Sequence, residues 1–91
     1  MIELGGNIKL INFENIEPAL LIVIKKIVGN YTKKISTTLA SFQSIEIALE
    51  DKESNAIRVR VLADKEYEAS ASDKNLFFAL DYALKNIESN K

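Results

Sequence analysis

Hydrophobic and polar positions alternate with a period of two along three consecutive stretches in the middle of the chain. In QSIEIALE (43–50), Ile45, Ile47 and Leu49 share one face. In AIRVRVLA (56–63), Ile57, Val59 and Val61 do the same, and in EYEASAS (66–72) Tyr67, Ala69 and Ala71 repeat the pattern more weakly. Strict alternation rich in β-branched residues predicts half-buried strands. The connections DKESN and DK are short and polar, so the three strands are expected to form an antiparallel meander. Ala69 and Ala71 leave little side chain on the last strand, which lets a helix pack close to it. Upstream, IELGGNIKLI (2–11) reads as a first strand interrupted by Gly5 and Gly6, a pairing that predicts a bulge or a close backbone approach.

The pattern changes to a helical period in two places. From about Glu17 to about Ser36, the residues Leu20, Ile24, Ile27, Tyr31 and Ile35 recur three or four apart and form one apolar stripe. Asn15 is a candidate helix cap, and Pro18 suits the first turn, where its missing N–H does no harm. The first half is apolar nearly all round, with Leu21, Ile22 and Val23 as well, so cover on more than one side is expected. The second helix is expected from about Asn75 to Ser89, capped by Ser72 or Asp73, with a core stripe of Phe77, Leu80, Leu84 and Ile87 flanked by Leu76 and Ala83.

The element order is therefore β-α-β-β-β-α. Only one sheet face is strongly apolar, so both helices must cover that face. The expectation is an α+β fold: a single domain over 1–91, with a four-stranded, mainly antiparallel sheet and two helices packed side by side on one face.

Charge adds a feature that hydropathy does not show. The chain has a net charge of −1, yet no Asp or Glu lies between Glu17 and Glu46, a stretch that holds Lys25, Lys26, Lys33 and Lys34. That stretch carries +4, so everything outside it totals −5. Such unevenness can orient a partner even when the total is near zero. On a helical wheel, Gly29 falls opposite the centre of the apolar stripe, with Lys25, Lys26 and Lys33 within about 60° of it and Lys34 on a flank. Two readings stay open. Three ammonium groups around a position without a side chain would let a phosphate or sugar edge approach the helix backbone. Alternatively, this is a solvated face with a tolerated glycine. The local pattern favours the solvated face, and the missing acids shift some weight toward the first reading, because surface helices ordinarily place Glu or Asp among their lysines.

Three further groups invite chemistry. Tyr31 lies in the apolar stripe and reads as a buried tyrosine with its hydroxyl at the rim, in preference to a base-stacking platform. Phe78 and Tyr82 sit one turn apart on the second helix with Lys74 and Lys85 beside them; helix–helix packing is favoured over an exposed stacking pair. Arg58 and Arg60 point outward between the outward Glu46 and Glu50 on one side and Glu66 and Glu68 on the other, which predicts cross-strand ion pairs on a solvated sheet face.

Composition excludes much chemistry. The chain has no cysteine and no histidine, which removes disulfides, thiolate sites and the commonest general base and metal ligand. The hydroxyls of Ser36 to Ser41 have no base nearby in sequence, and the carboxylates are scattered. LGGN lacks the lysine and following helix of a phosphate-binding loop, and GNYT is not a Gly-x-x-Gly clamp. The expectation is a non-enzymatic protein with no cofactor, no metal and no small-molecule substrate. ALLIVI is too short to span a bilayer, and MIELGGNIK lacks the features of a signal peptide, so a cytoplasmic location without a membrane partner is expected.

The order β-α-β-β-β-α, the length, and EYEASASDKNLFFALDYALKNI (66–87) together resemble the short ribosome hibernation-promoting and ribosome-associated inhibitor family. The resemblance rests on Ala69, Ser70 and Ala71, then Leu76 and Phe77, then Ala79, Leu80 and Asp81. It is best in the C-terminal third; the first helix matches in placement and lysine content. It implies a translation inhibitor or hibernation factor that binds the small ribosomal subunit where messenger and transfer RNA sit, with basic side chains of both helices on ribosomal RNA. Carried onto this chain, those are Lys25, Lys26, Lys33 and Lys34, with Lys74 and Lys85 as further candidates; Gly29 joins them from the wheel. The chain departs from the family at NIESNK, where Glu88 stands in a region that is more basic in relatives, which implies fewer phosphate contacts and a shallower salt dependence. The alternative from a different class is a homodimerising protein-interaction module with no nucleic-acid role, using Leu21 and Ile22 or a free sheet edge.

Overall fold

The computed structural model describes residues 1–5 and 7–89, without the side chain of Ser89. Five strands and two helices follow the order β1 (Ile2–Leu4), β2 (Ile8–Ile11), α1 (Pro18–Thr38), β3 (Ser44–Asp51), β4 (Ala56–Leu62), β5 (Glu66–Ala71) and α2 (Leu76–Ser89). The strands lie side by side in sequence order. The α+β class and the two helices agree with expectation, but the sheet has five strands rather than four.

The extra strand comes from the N-terminal segment. What reads as one interrupted strand is a hairpin, with Ile2 opposite Leu10 and Leu4 opposite Ile8. Gly5 has φ +66°, a left-handed conformation that glycine adopts without steric cost, and it turns the chain rather than bulging a continuous strand. Gly6, the other half of the pair, lies outside the described residues. β2 pairs with β3 in parallel, Leu10 opposite Ile47, with α1 as the crossover that a parallel pair requires. β3, β4 and β5 form the expected antiparallel meander.

Alternation places Leu10, Ile45, Ile47, Leu49, Ile57, Val59, Val61 and Tyr67 on one buried face. Both helices cover it, and because β2 and β5 point the same way, the helices that follow them run back in the same direction. α2 packs on β4 and β5 and against α1. It brings Ala79 and Ala83, both fully buried, to the sheet side along with Leu80, Leu84 and Ile87. Small residues on both surfaces, with half-buried Ala69 and Ala71 on β5, permit that approach. The connection after β2 also feeds the core: Phe13 is fully buried, and Asn12, at φ 68°, donates from Nδ2 to the Leu49 carbonyl at 3.2 Å.

The helix ends differ from expectation. Glu17, not Asn15, occupies the cap position of α1 and makes no side-chain capping bond; Pro18 opens the helix as expected. At α2 the cap is Asn75, whose Oδ1 accepts from the amides of Phe77 at 2.9 Å and Phe78 at 3.3 Å. Asp73, expected as a cap, instead accepts from the Asn75 amide at 3.0 Å.

The rotation of α1 also differs. Its buried residues are Ile24, Val28, Thr32 and Ile35. Leu20 is exposed, and Ile27 and Tyr31 are half-buried. The stripe is turned toward Val28, so Val28 belongs to the core and Tyr31 to the border with α2. The expected second cover over the first half does not exist among the described residues: Leu20, Ile22 and Val23 are 39%, 62% and 44% exposed.

Turning the stripe buries Thr32, whose hydroxyl has no hydrogen-bond partner among the described residues. A buried hydroxyl without a partner is destabilising by about 1–3 kcal/mol. Thr32→Val keeps the shape and removes the polar atom, so it is expected to raise the unfolding free energy by about 1 kcal/mol. Urea denaturation checks this as a higher midpoint at unchanged slope.

Candidate nucleic-acid interface

The two surfaces of the molecule handle charge differently. On the outer sheet face, register lines up Glu3, Lys9, Glu46, Arg60 and Glu68 across all five strands, a row of alternating sign. Both arginines are paired as expected. Arg58 Nε stands 2.9 Å from Glu50 and 3.6 Å from Glu68. Arg60 stands 3.1 Å from Glu66 and 3.5 Å from Glu68. A shallow concavity of about 190 Å³ on this face is lined by Ile11, Glu46, Ala48, Glu50, Arg58 and Arg60, and its arginines are the ones already neutralised.

The outer surface of α1 is the opposite case. Lys25, Lys26, Lys33 and Lys34 are all exposed, and none has a carboxylate within 4.0 Å among the described residues. Helix stability does not explain them either. No basic residue occupies the last turn of α1, where a lysine would interact favourably with the helix dipole, and no acid stands four residues away.

Their arrangement is a band rather than a focus. With the core side centred near Val28, Lys26 and Lys33 point straight outward, and Lys25 and Lys34, nine residues apart, lie on opposite flanks. Lys34 is on the flank toward α2, its ammonium 5.4 Å from the centre of the Tyr31 ring. Gly29 is not opposite the core but half-buried on the Lys25 flank. A Cβ built there meets nothing within 4 Å, so no packing contact requires the glycine.

Lys74 and Lys85 belong to a different environment. Lys85 Nζ lies 3.8 Å from Asp81, one turn earlier in α2. Lys74 sits in the loop before α2, where its carbonyl accepts from Asn55 Nδ2 at 3.0 Å, a bond that ties this loop to the β3–β4 turn. Lys74 thus precedes α2 and Lys85 lies on it, and the structure does not gather them into the α1 band.

The helices are joined at Tyr31, whose hydroxyl donates to Asp81 Oδ1. Burial pushes the phenol up to about 12, with the bond to Asp81 and the nearby negative charges of Asp81 and Glu88 adding to it. This fixes Lys34 and Lys85 on either side of the same polar seam. Tyr31 is therefore neither a core residue nor a free stacking platform.

Phe78 and Tyr82 do not pack between the helices, contrary to expectation. They are 55% and 47% exposed on the outward face of α2, with ring centroids 6.4 Å apart. The signal was present in the wheel, where both lie roughly opposite Leu80 and Leu84.

Among the described residues no helix is long and apolar enough to cross a membrane. No family model matches the chain, and no curated protein matches it. Among solved structures it is similar to a ribosomal subunit interface protein from Coxiella burnetii, at 16% sequence identity and a TM-score of 0.57, covering 91% of this chain and 88% of that one. At that identity the likeness is one of fold.

The seam yields a pH prediction. A phenol pushed up by folding stabilises the fold fully below the unfolded value near 10 and loses that contribution as pH rises through about 12. Tyr31→Phe is expected to cost about 1 kcal/mol at pH 7 and to flatten the decline in stability between pH 10 and 12. Paired urea titrations of both proteins across that range check it.

Proposed function

We propose that this protein is a non-enzymatic, cytoplasmic ribosome-binding protein that lays the lysine band of α1 on ribosomal RNA of the small subunit and inhibits translation in the manner of a hibernation factor. The observation that carries this reading is the unneutralised band: Lys25, Lys26, Lys33 and Lys34 have no ion-pair partners among the described residues, and Lys34 alone meets another group, the Tyr31 ring. Lysines of that kind suit phosphates, whose counterions they displace. The fold likeness to a protein described as a ribosomal subunit interface protein supports the choice of RNA. The outer sheet face, with more acids than bases, would turn away from an RNA surface, so the low net charge is compatible with oriented binding. Lys74, Lys85 and Gly29 are assigned peripheral roles.

The exposure of Leu20, Ile22 and Val23 favours a second reading, in which this end of α1 joins two copies. Ile22→Lys separates them, because it dissolves such a dimer and leaves RNA binding intact.

Replacing Lys25, Lys26 and Lys33 together with Glu is expected to abolish co-sedimentation with small subunits at moderate salt while the thermal midpoint stays near that of the parent. A triple variant that still sediments with subunits overturns the assignment. Gly29→Ala, measured alongside, is expected to raise stability by about 1 kcal/mol. Unchanged binding makes the glycine incidental, and weakened binding places the bare backbone in the site.

A further inference from the structure

The outward face of α2 carries two aromatic rings that the fold does not use. The core side of this helix is complete without them: Ala79, Leu80, Ala83, Leu84 and Ile87 are all fully buried. Phe78 and Tyr82 instead stand one turn apart in solvent, their rings tilted 36° with centroids 6.4 Å apart. The Tyr82 hydroxyl has no hydrogen-bond partner among the described residues.

The surroundings of the pair select its partner. The neighbouring polar side chains are those of Lys74, Asn75, Lys85 and Asn86, with exposed amides and ammonium groups. The carboxylate within one turn, Asp81, is engaged by Tyr31 and by Lys85. An apolar ring surface bordered by amides and by two ammonium groups, that of Lys85 already paired with Asp81, fits a partner that presents flat apolar faces on an anionic backbone. A nucleic-acid strand has that composition, and an acid-free lysine band lies on the adjoining helix. Packed helices have axes about 8–10 Å apart, a distance that one strand crosses with phosphates on one helix and a base on the other. A base buried in a duplex cannot present its face to a ring, so the strand must be unpaired at that point.

We infer that Phe78 and Tyr82 are a stacking platform for an unpaired base of the RNA strand whose phosphates follow the α1 lysines, an inference that rests on the RNA-binding reading above. The platform gives the protein a preference for single-stranded over double-stranded RNA. That preference is tolerant of sequence, because every base has a face to stack.

The test uses the full chain and two fluorescently labelled RNAs of equal length, one an adenine-rich single strand and one a duplex, with anisotropy titrations over a range of salt. The double variant Phe78→Ser/Tyr82→Ser is expected to bind the single strand about tenfold or more weakly. Its duplex binding and salt slope are expected to match the parent, since no phosphate contact is removed. Tyr82→Phe keeps a ring and is expected to bind as the parent does. Parental single-strand affinity in the double variant, together with loss of binding in the α1 lysine variant, overturns the platform and leaves the lysine band standing. A parent chain that binds neither RNA overturns both. A double variant that changes the sedimentation of the protein alone makes the pair an interface between copies and also overturns the platform.

Discussion

Everything in this structure depends on a sheet with one apolar face. Ile45, Ile47, Leu49, Ile57, Val59 and Val61 all point to the same side, and that side must be kept from water. Two helices are available to cover it, and parallel pairing of β2 with β3 obliges the first to return over the sheet as a crossover. Once α1 is laid down in this way, its inner residues are fixed as core and its outer residues as the surface of the helix layer. The lysines acquire their exposure from that placement, not from any local preference of the helix.

The opposite sheet face had the same requirement to stay hydrated and met it differently. It interleaves acids and bases so that Arg58 is shared between Glu50 on β3 and Glu68 on β5, and Arg60 between Glu66 and Glu68, both on β5. Pairs of this kind on a wet surface contribute little to stability, but they leave neither arginine free and the face with more acids than bases. α1 has no acids to do the same. The molecule therefore has one surface whose arginines are paired and which keeps an excess of acids, and one that keeps its positive charge, and Tyr31 bridging to Asp81 holds the two helices of that second layer in a fixed relation.

Much of this was legible in the residues. Strict alternation identified β3, β4 and β5, and the stretch without acids located the lysine band. Two features were not legible, for definite reasons. The hairpin of β1 and β2 keeps Ile2, Leu4, Ile8 and Leu10 on one face across its turn, so the alternation carries no trace of the reversal. The rotation of α1 was ambiguous because residues 20–24 are apolar on every side. Ile24 and Ile35 fit both a stripe through Ile27 and Tyr31 and one through Val28 and Thr32, and only the position of α2 decides between them. That same choice moved Gly29 from the outer face to a flank. For Phe78 and Tyr82 the wheel gave the right direction, but the need for a helix–helix contact argued the other way. The structure makes that contact through Tyr31 and Asp81 instead.

The most direct test of a ribosomal role for the α1 lysines is the sucrose-gradient profile of a native lysate probed for this protein. Co-migration with small subunits or idle ribosomes at low salt, and release toward the top as salt is raised, is the expected result. A protein confined to the top of the gradient even at low salt would contradict it.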